Sequence, residues 1–191
     1  MGEMSVRRRR REDIPALVDV LLEQQPDTRY PFRNPLPMPV EEFLHADDAA
    51  AAWTAEVDGR PVGHVCRVGP LAGFPAATEM NRACAAAHGC AVDQLAWVSK
   101  LYVGREARGT GLGRQLLETV VDDVRKAGLY PCLEVLPLHG AALSLYASTG
   151  WREVMRVRPE WLTRAAGEAG PDVLVMVLPT AGQPVGSVTG T

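Results

Sequence analysis

The sequence predicts an α/β domain built on a mixed sheet, and three features carry that prediction. Two apolar strand-like runs meet at Asp58-Gly59, a dipeptide that suits a tight hairpin turn. A glycine-rich turn at 108–114 joins a strand to an amphipathic helix. Later strands alternate with helices, the pattern of crossover connections rather than of further hairpins.

Composition sets the outer limits. A chain of 191 residues with 47% hydrophobic side chains fits one domain, placed here at 1–179, and can bury a core without disulfides or metal. Charged residues make up 23% and the net charge is -3, which argues against global disorder and against a general attraction to polyanions. No apolar run approaches the roughly 20 residues that span a bilayer. The start, Met1 to Arg11, has five arginines with no apolar signal core after them, so the expected location is the cytoplasm. Cys66, Cys84, Cys90 and Cys132 lack C-x2-C spacing, and His88 between Cys84 and Cys90 is too little to predict a metal site. Buried thiols and no metal are the expectation.

Along the chain, Ser5 to Arg10 reads as an edge strand. Glu12-Asp13-Ile14-Pro15 opens a helix whose apolar Ile14, Leu17, Val18, Leu21 and Leu22 recur at helical spacing, with an end near Gln25 before Pro26. Five prolines between 26 and 39 enforce a loop, and a short helix follows from Val40 to His45. Ala50 to Val57 and Pro61 to Val68 form the hairpin. An alanine-rich helix from Ala76 to His88, stopped by Gly89, lies in an insertion at 70–94. Trp97 to Val103, Leu112 to Lys126 and Pro131 to Leu136 make a βαβ unit. Gly140 to Ser148 is a helix, and Trp151 to Val157 and Asp172 to Leu178 are the last strands. Residues 180–191, without charge, are expected to be a disordered tail.

The chemistry concentrates in Arg108-Gly109-Thr110-Gly111-Leu112-Gly113-Arg114. A helix start presents unpaired N–H groups and the positive end of the helix dipole, and glycines let the backbone approach an anion closely. Two flanking guanidiniums suit a diphosphate. No Gly-Lys-Ser/Thr follows, which excludes a P-loop, and Arg114 stands where a dinucleotide fingerprint requires glycine.

The R-x-x-G-x-G pattern after Ala96 to Val103 resembles motif A of the GCN5-related N-acetyltransferases. Leu133-Glu134-Val135, Ala142, Leu145-Tyr146 and Gly150-Trp151 resemble that family's following strand and its LY-x-x-x-G-[FW] segment. The resemblance spans roughly 5 to 178. It implies a twisted sheet of six to seven strands with flanking helices, splayed between the strands at 97–103 and 131–136, and acetyl-CoA as co-substrate. Main-chain groups of Leu101, Tyr102 and Val103 would hold the pantetheine, and those of Gly109, Thr110, Gly111, Leu112, Gly113 and Arg114 the pyrophosphate, with Arg108 in support. Tyr146 would be the acid that protonates the leaving thiolate, and Glu134, twelve residues before it, the base, as in the ribosomal-protein alanine acetyltransferases of the family. Their alternatives are a packed tyrosine and a glutamate that only bonds neighbouring groups.

Two departures stand out. His139 occupies the position of a CoA-holding asparagine, seven residues before the tyrosine. Trp97 replaces a strand carboxylate that serves some members as base, which leaves Ser99, Asp93 or water as substitutes, and Trp97 itself either lines the acceptor pocket or packs in the core. Tyr30 and Phe32, with Arg29 and Arg33, and Trp161 with Arg158, are candidates for an aromatic, cationic acceptor mouth. The expected acceptor is a small-molecule amine, with a peptide or protein α-amine as the alternative and a non-catalytic acyl-CoA sensor as the reading of another class. The Arg7 to Arg11 run reads as a solvated edge rather than a nucleic-acid surface. The helix at 76–88 offers a surface for a homodimer, an assembly common in the family.

Overall fold

The hairpin forms as its turn chemistry requires. In the computed structural model, which describes residues 2–45 and 49–180, Asp58 and Gly59 take φ of 51° and 75°, the paired left-handed geometry of a two-residue turn. Seven strands and six α-helices run through the described residues, in keeping with the predicted α/β class. The predicted tail, except for Thr180, lies outside those residues.

The chain divides into two compact units, the first made of Met1–Val68 and Val98–Asp123. It contains β1 (Met4–Arg8), α1 (Ile14–Thr28), α2 (Val40–His45), β2 (Ala49–Val57), β3 (Arg60–Val68) and the end of β4 (Leu95–Val103). β1 pairs antiparallel with β2 from Met4↔Val57 to Arg8↔Trp53, and β2 with β3 across the hairpin. β3 meets β4 through the Gly104 N–H, which donates to the Val62 carbonyl at 2.7 Å. Gly63 is required there, because a Cβ would stand 3.0 Å from the Tyr102 carbonyl oxygen. Ile14, Leu17, Val18, Leu21, Leu44 and Tyr102 form one buried cluster, with Tyr30, Val40 and Phe43 packed on it.

α1 runs one turn past its predicted end. Pro26 forfeits one backbone bond, to the carbonyl of the exposed Leu22. The last turn is closed by side chains and by a left-handed cap: the Thr28 hydroxyl donates to the Gln24 side chain at 2.7 Å, and the Arg29 N–H to the Gln25 carbonyl at 2.7 Å.

The second unit, Gly69–Trp97 and Val124–Thr191, holds α3 (Ala77–His88), the start of β4, β5 (Tyr130–Val135), α5 (Gly140–Ser148), β6 (Arg152–Val157), α6 (Glu160–Ala166) and β7 (Val173–Val177). β7 pairs antiparallel with β5 and with β6, and all five of its residues are buried. α6 replaces what the sequence reading took as a plain connection. Its signals are conventional: Pro159 at the N-cap, Glu160 in the first turn, and Gly167 at φ 73° past the end. α4 (Leu112–Lys126) matches the predicted bounds, with Arg125 and Lys126 complementing its negative end.

The cysteines are thiols, Cys66, Cys84 and Cys132 buried and Cys90 partly so. Burial pushes the Cys132 thiol up, and Cys84 beside it adds to the effect. His88 donates from Nε2 to the Pro131 carbonyl at 3.1 Å. Among the described residues no His, Cys, Asp and Glu group is arranged to hold a metal ion. None of the described helices is long and apolar enough to cross a membrane.

Candidate active site

The phosphate loop is built as a local consequence of its glycines. After a single 3-10 turn at Arg105–Ala107, Gly109 and Gly111 adopt φ of 75° and 91°, values that favour glycine. No heavy atom lies within 4 Å of where their Cβ atoms would be, so the space beside both glycines is open. The Thr110 hydroxyl donates to the Ala107 carbonyl at 2.7 Å and holds the turn. The helical ladder begins with the Gln115 N–H donating to the Gly111 carbonyl at 3.0 Å. The first-turn N–H groups of α4, on Leu112, Gly113 and Arg114, therefore precede the ladder and sit at the positive end of the dipole. This cradle fits a phosphate, and Arg108 and Arg114 bracket it in sequence.

Arg108 already has an anionic neighbour. Its Nη1 lies 3.7 Å from Asp27 Oδ2, while Arg105 grips both oxygens of the same carboxylate. The two guanidiniums hold the Asp27 carboxyl below its usual range, Arg105 more strongly. A cleft of about 390 Å³ opens beside Arg105, lined by Val20, Glu23, Val62, Gly104 and Glu106. Its two carboxylates, Glu23 and Glu106, make this cleft less suited to an anion than the loop.

In β4, Lys100 takes φ 55° and interrupts the strand's alternation. Ser99, Lys100, Leu101 and Val103 are half-buried, and Tyr102 is buried with its hydroxyl donating to the Leu17 carbonyl at 2.9 Å. The predicted main-chain role of Leu101 to Val103 leaves the Tyr102 side chain to anchor α1. Tyr30 stacks against Tyr102 at 6.4 Å, and Arg29 covers Phe32 at 5.2 Å.

In the second unit, Trp97 is 1% exposed and its indole N–H donates to Asn81 Oδ1 at 2.9 Å. Of its two expected positions it takes the core one. Glu134 is the one exposed residue of β5, while desolvation by the protein around its carboxyl lifts it from 4.5 to about 7. Tyr146 is buried, tilted on Trp151 at 5.9 Å, and burial raises its phenol so that it stays protonated at neutral pH. The turn after α5 wraps its carbonyl, which accepts from the N–H groups of Thr149 and Trp151 at 3.1 Å each. His139 is half-buried at the N-cap of α5, where its carbonyl accepts from the Leu143 N–H at 3.0 Å. Trp161 is half-buried on α6.

Sequence reading did not single out Asp27, His64 or Lys100, and it took Arg9 as solvated. Arg9 is half-buried with its neighbour-but-one Arg7, while Arg8 and Arg10 are exposed. The strand period of two was the available signal. For His64, it was a lone histidine inside an apolar strand.

Solved structures share this fold. The ribosomal-protein-S18-alanine N-acetyltransferase of Escherichia coli superposes with a TM-score of 0.62 at 18% identity, covering 96% of this chain and 99% of that one. The Salmonella typhimurium protein yncA, solved with its cofactor acetyl-CoA, gives 0.65 at 17%, covering 97% and 98%. The ribosomal-protein-alanine N-acetyltransferase of Brucella melitensis gives 0.64 at 20%, covering 91% and 98%. The fold class is therefore that of the GNAT acetyltransferases. The Acetyltransferase (GNAT) family model matches residues 15–151, and the chain belongs to that family. Among curated proteins it resembles the probable N-acetyltransferase camello of Xenopus tropicalis, 28% identical over 115 residues, 60% of this chain and 44% of the relative. The Xenopus laevis protein of the same name is 27% identical over 124 residues, 64% of this chain and 48% of the relative. The matched region thus spans less than half the length of these relatives.

Proposed function

We propose that the chain transfers the acetyl group of acetyl-CoA to the primary amine of a small molecule. The observation that carries this reading is the phosphate loop: two left-handed glycines with open space over them, opening α4 between Arg108 and Arg114. That cradle suits the CoA pyrophosphate, and the thioester supplies an activated acetyl carbon. Glu134, raised to about 7, accepts the proton of the ammonium so that the neutral amine can attack. Tyr146 donates its proton to the sulfur as the carbon–sulfur bond breaks. Leu101, Tyr102 and Val103 bond the pantetheine through their main chain, and His139 supports it. Tyr30, Phe32, Ser99 and Trp161 contact the acceptor.

A peptide or protein α-amine is the second reading, favoured by Glu134 within Leu133-Glu134-Val135. Thiol release from acetyl-CoA, measured over small amines and alanine-ended peptides, separates the two. Tight CoA binding with no thiol release for any acceptor would make the chain a sensor. Tyr146→Phe is expected to lower kcat about a hundredfold or more with CoA affinity retained. An unchanged kcat removes the acid from Tyr146.

Asp27 competes with the pyrophosphate for Arg108. Asp27→Asn should therefore tighten CoA binding, by up to about fivefold at low salt, and the gain should shrink as salt screens it. Weaker binding in titration calorimetry would instead make Asp27 a support for the loop.

A further inference from the structure

A half-buried cation is costly unless an anion faces it. Five arginine and lysine residues of the described chain are half-buried: Arg7, Arg9, Arg67, Lys100 and Arg158. Three have carboxylates. Arg7 meets Asp13 at 2.7 Å, Arg67 meets Asp123 at 2.6 Å, and Arg158 meets Asp172 at 2.8 Å. Arg9 and Lys100 have none among the described residues, and these two flank one side chain.

That side chain is His64, fully buried on β3. Its Nδ1 lies 3.0 Å from the Lys100 carbonyl oxygen, which can only accept, so Nδ1 carries the proton and donates. Nε2 is then the lone pair, and it accepts from Arg9 Nη1 at 3.2 Å. Desolvation first, then the positive charges of Arg9 and Lys100, lower the ring to about 3, which keeps it neutral in this relay. Arg9 Nη1 also donates to the Leu44 carbonyl, and Nη2 to the His45 carbonyl at 3.0 Å. Of five guanidinium N–H groups, Nε–H and one on Nη2 meet no acceptor among the described residues, which leaves donors for an anion. Lys100 is the residue at φ 55°, a strained conformation of the kind that recurs at ligand sites. Its ammonium stands 5.1 Å over Phe43 of α2, the helix whose end Arg9 holds.

We infer that Arg9 and Lys100 form a carboxylate subsite, so that the amine acceptor is an amino acid or another amine bearing a carboxylate. The inference rests on the acetyl-transfer reading, because it assigns to the acceptor a charge that no carboxylate of the described residues contacts. His64 is the positioning residue: it orients Arg9 and fixes the Lys100 carbonyl by the same ring.

The test uses the whole chain with matched probes, β-alanine and 4-aminobutyrate against β-alaninamide, 4-aminobutyramide and propylamine. With acetyl-CoA, the amino acids should exceed their neutral counterparts at least about tenfold in kcat/KM, mainly through KM, as for hydrogen bonds to a charged group. Lys100→Gln should erase most of that ratio. It is the deciding variant, since Arg9 also ties down α2 and its loss can unfold the unit. Equal use of amino acids and amides, or a Lys100→Gln variant that slows both alike, overturns the subsite. Calorimetric binding of the same probes, with and without CoA, separates the two levels. Carboxylate-dependent binding that Lys100→Gln abolishes supports the subsite even where no thiol is released, in which case the acetyl-transfer reading alone has failed. No carboxylate dependence in binding overturns it.

Discussion

Glu134→Gln should lower kcat/KM about 10²- to 10⁴-fold, the contribution of a positioned base, without lowering thermal stability. The two halves of that result have one cause. The carboxyl is lifted from 4.5 to about 7 by its surroundings, so it is half-protonated near neutrality and is a usable proton acceptor above it. Activity of the unaltered chain should rise with pH through about 7, and Glu134→Gln should lose that limb while keeping any rise due to the amine itself. For stability the sign runs the other way. A raised folded-state value means that the folded state holds the proton more tightly, a contribution complete below 4.5 and lost as pH rises through about 7. Glutamine keeps the shape without the charge, so at pH 8 the variant should unfold no earlier than the parent. A pH–rate profile and a melting curve read the two effects separately. Full kcat in Glu134→Gln ends the base assignment.

Asp13→Ala should cost about 3 kcal/mol or more of stability, measured as a lower urea midpoint. Its carboxylate accepts from Arg7 at 2.7 and 2.8 Å, from the Arg10 N–H at 2.7 Å and from the Thr54 hydroxyl at 2.9 Å. It is 3% exposed. Burial raises its carboxyl, and the Arg7, Arg10 and Thr54 bonds together outweigh that, leaving it at about 2 against 3.8. The lowered value means stability that is complete above 3.8 and is lost as pH falls through about 2, on the order of 2 kcal/mol. Alanine strands Thr54 and half of the Arg7 guanidinium. Asp13→Asn, which keeps an oxygen for the Arg10 N–H and Thr54, should cost less. Equal midpoints for parent and alanine variant would reduce the network to decoration.

The parts of the fold that were legible are those whose causes are local. α2, α4 and α5 keep their predicted bounds, because caps, breakers and apolar period lie within each segment. Pro26 misled because a proline in the last turn costs one bond, and Gln24 and Thr28 recover the turn by contacts that no period reveals. In the site, the glycine turn was readable since its conformation follows from Gly109 and Gly111 themselves. Trp97 was ambiguous until Asn81 appeared beside it, sixteen residues earlier in sequence. Arg9, His64 and Lys100 come from three distant segments, the residue after β1, β3 and β4, and were out of reach for the same reason: nothing in the chain near Arg9 tells it which carbonyls or ring it will face. Asp27 is another such partner, joined to Arg105 across 78 positions.

β7 lies between β5 and β6, so the last strand of the described chain fills the middle of its unit. β5 and β6 precede their shared partner in the chain, and five buried residues, Val173–Val177, must be in place before either edge is satisfied. A nascent chain that stalls short of Val173 leaves two unpaired edges exposed to each other and to neighbouring polypeptides. Docking of β7, which must fit between two strands already made, is thus the step that closes the edges of this unit.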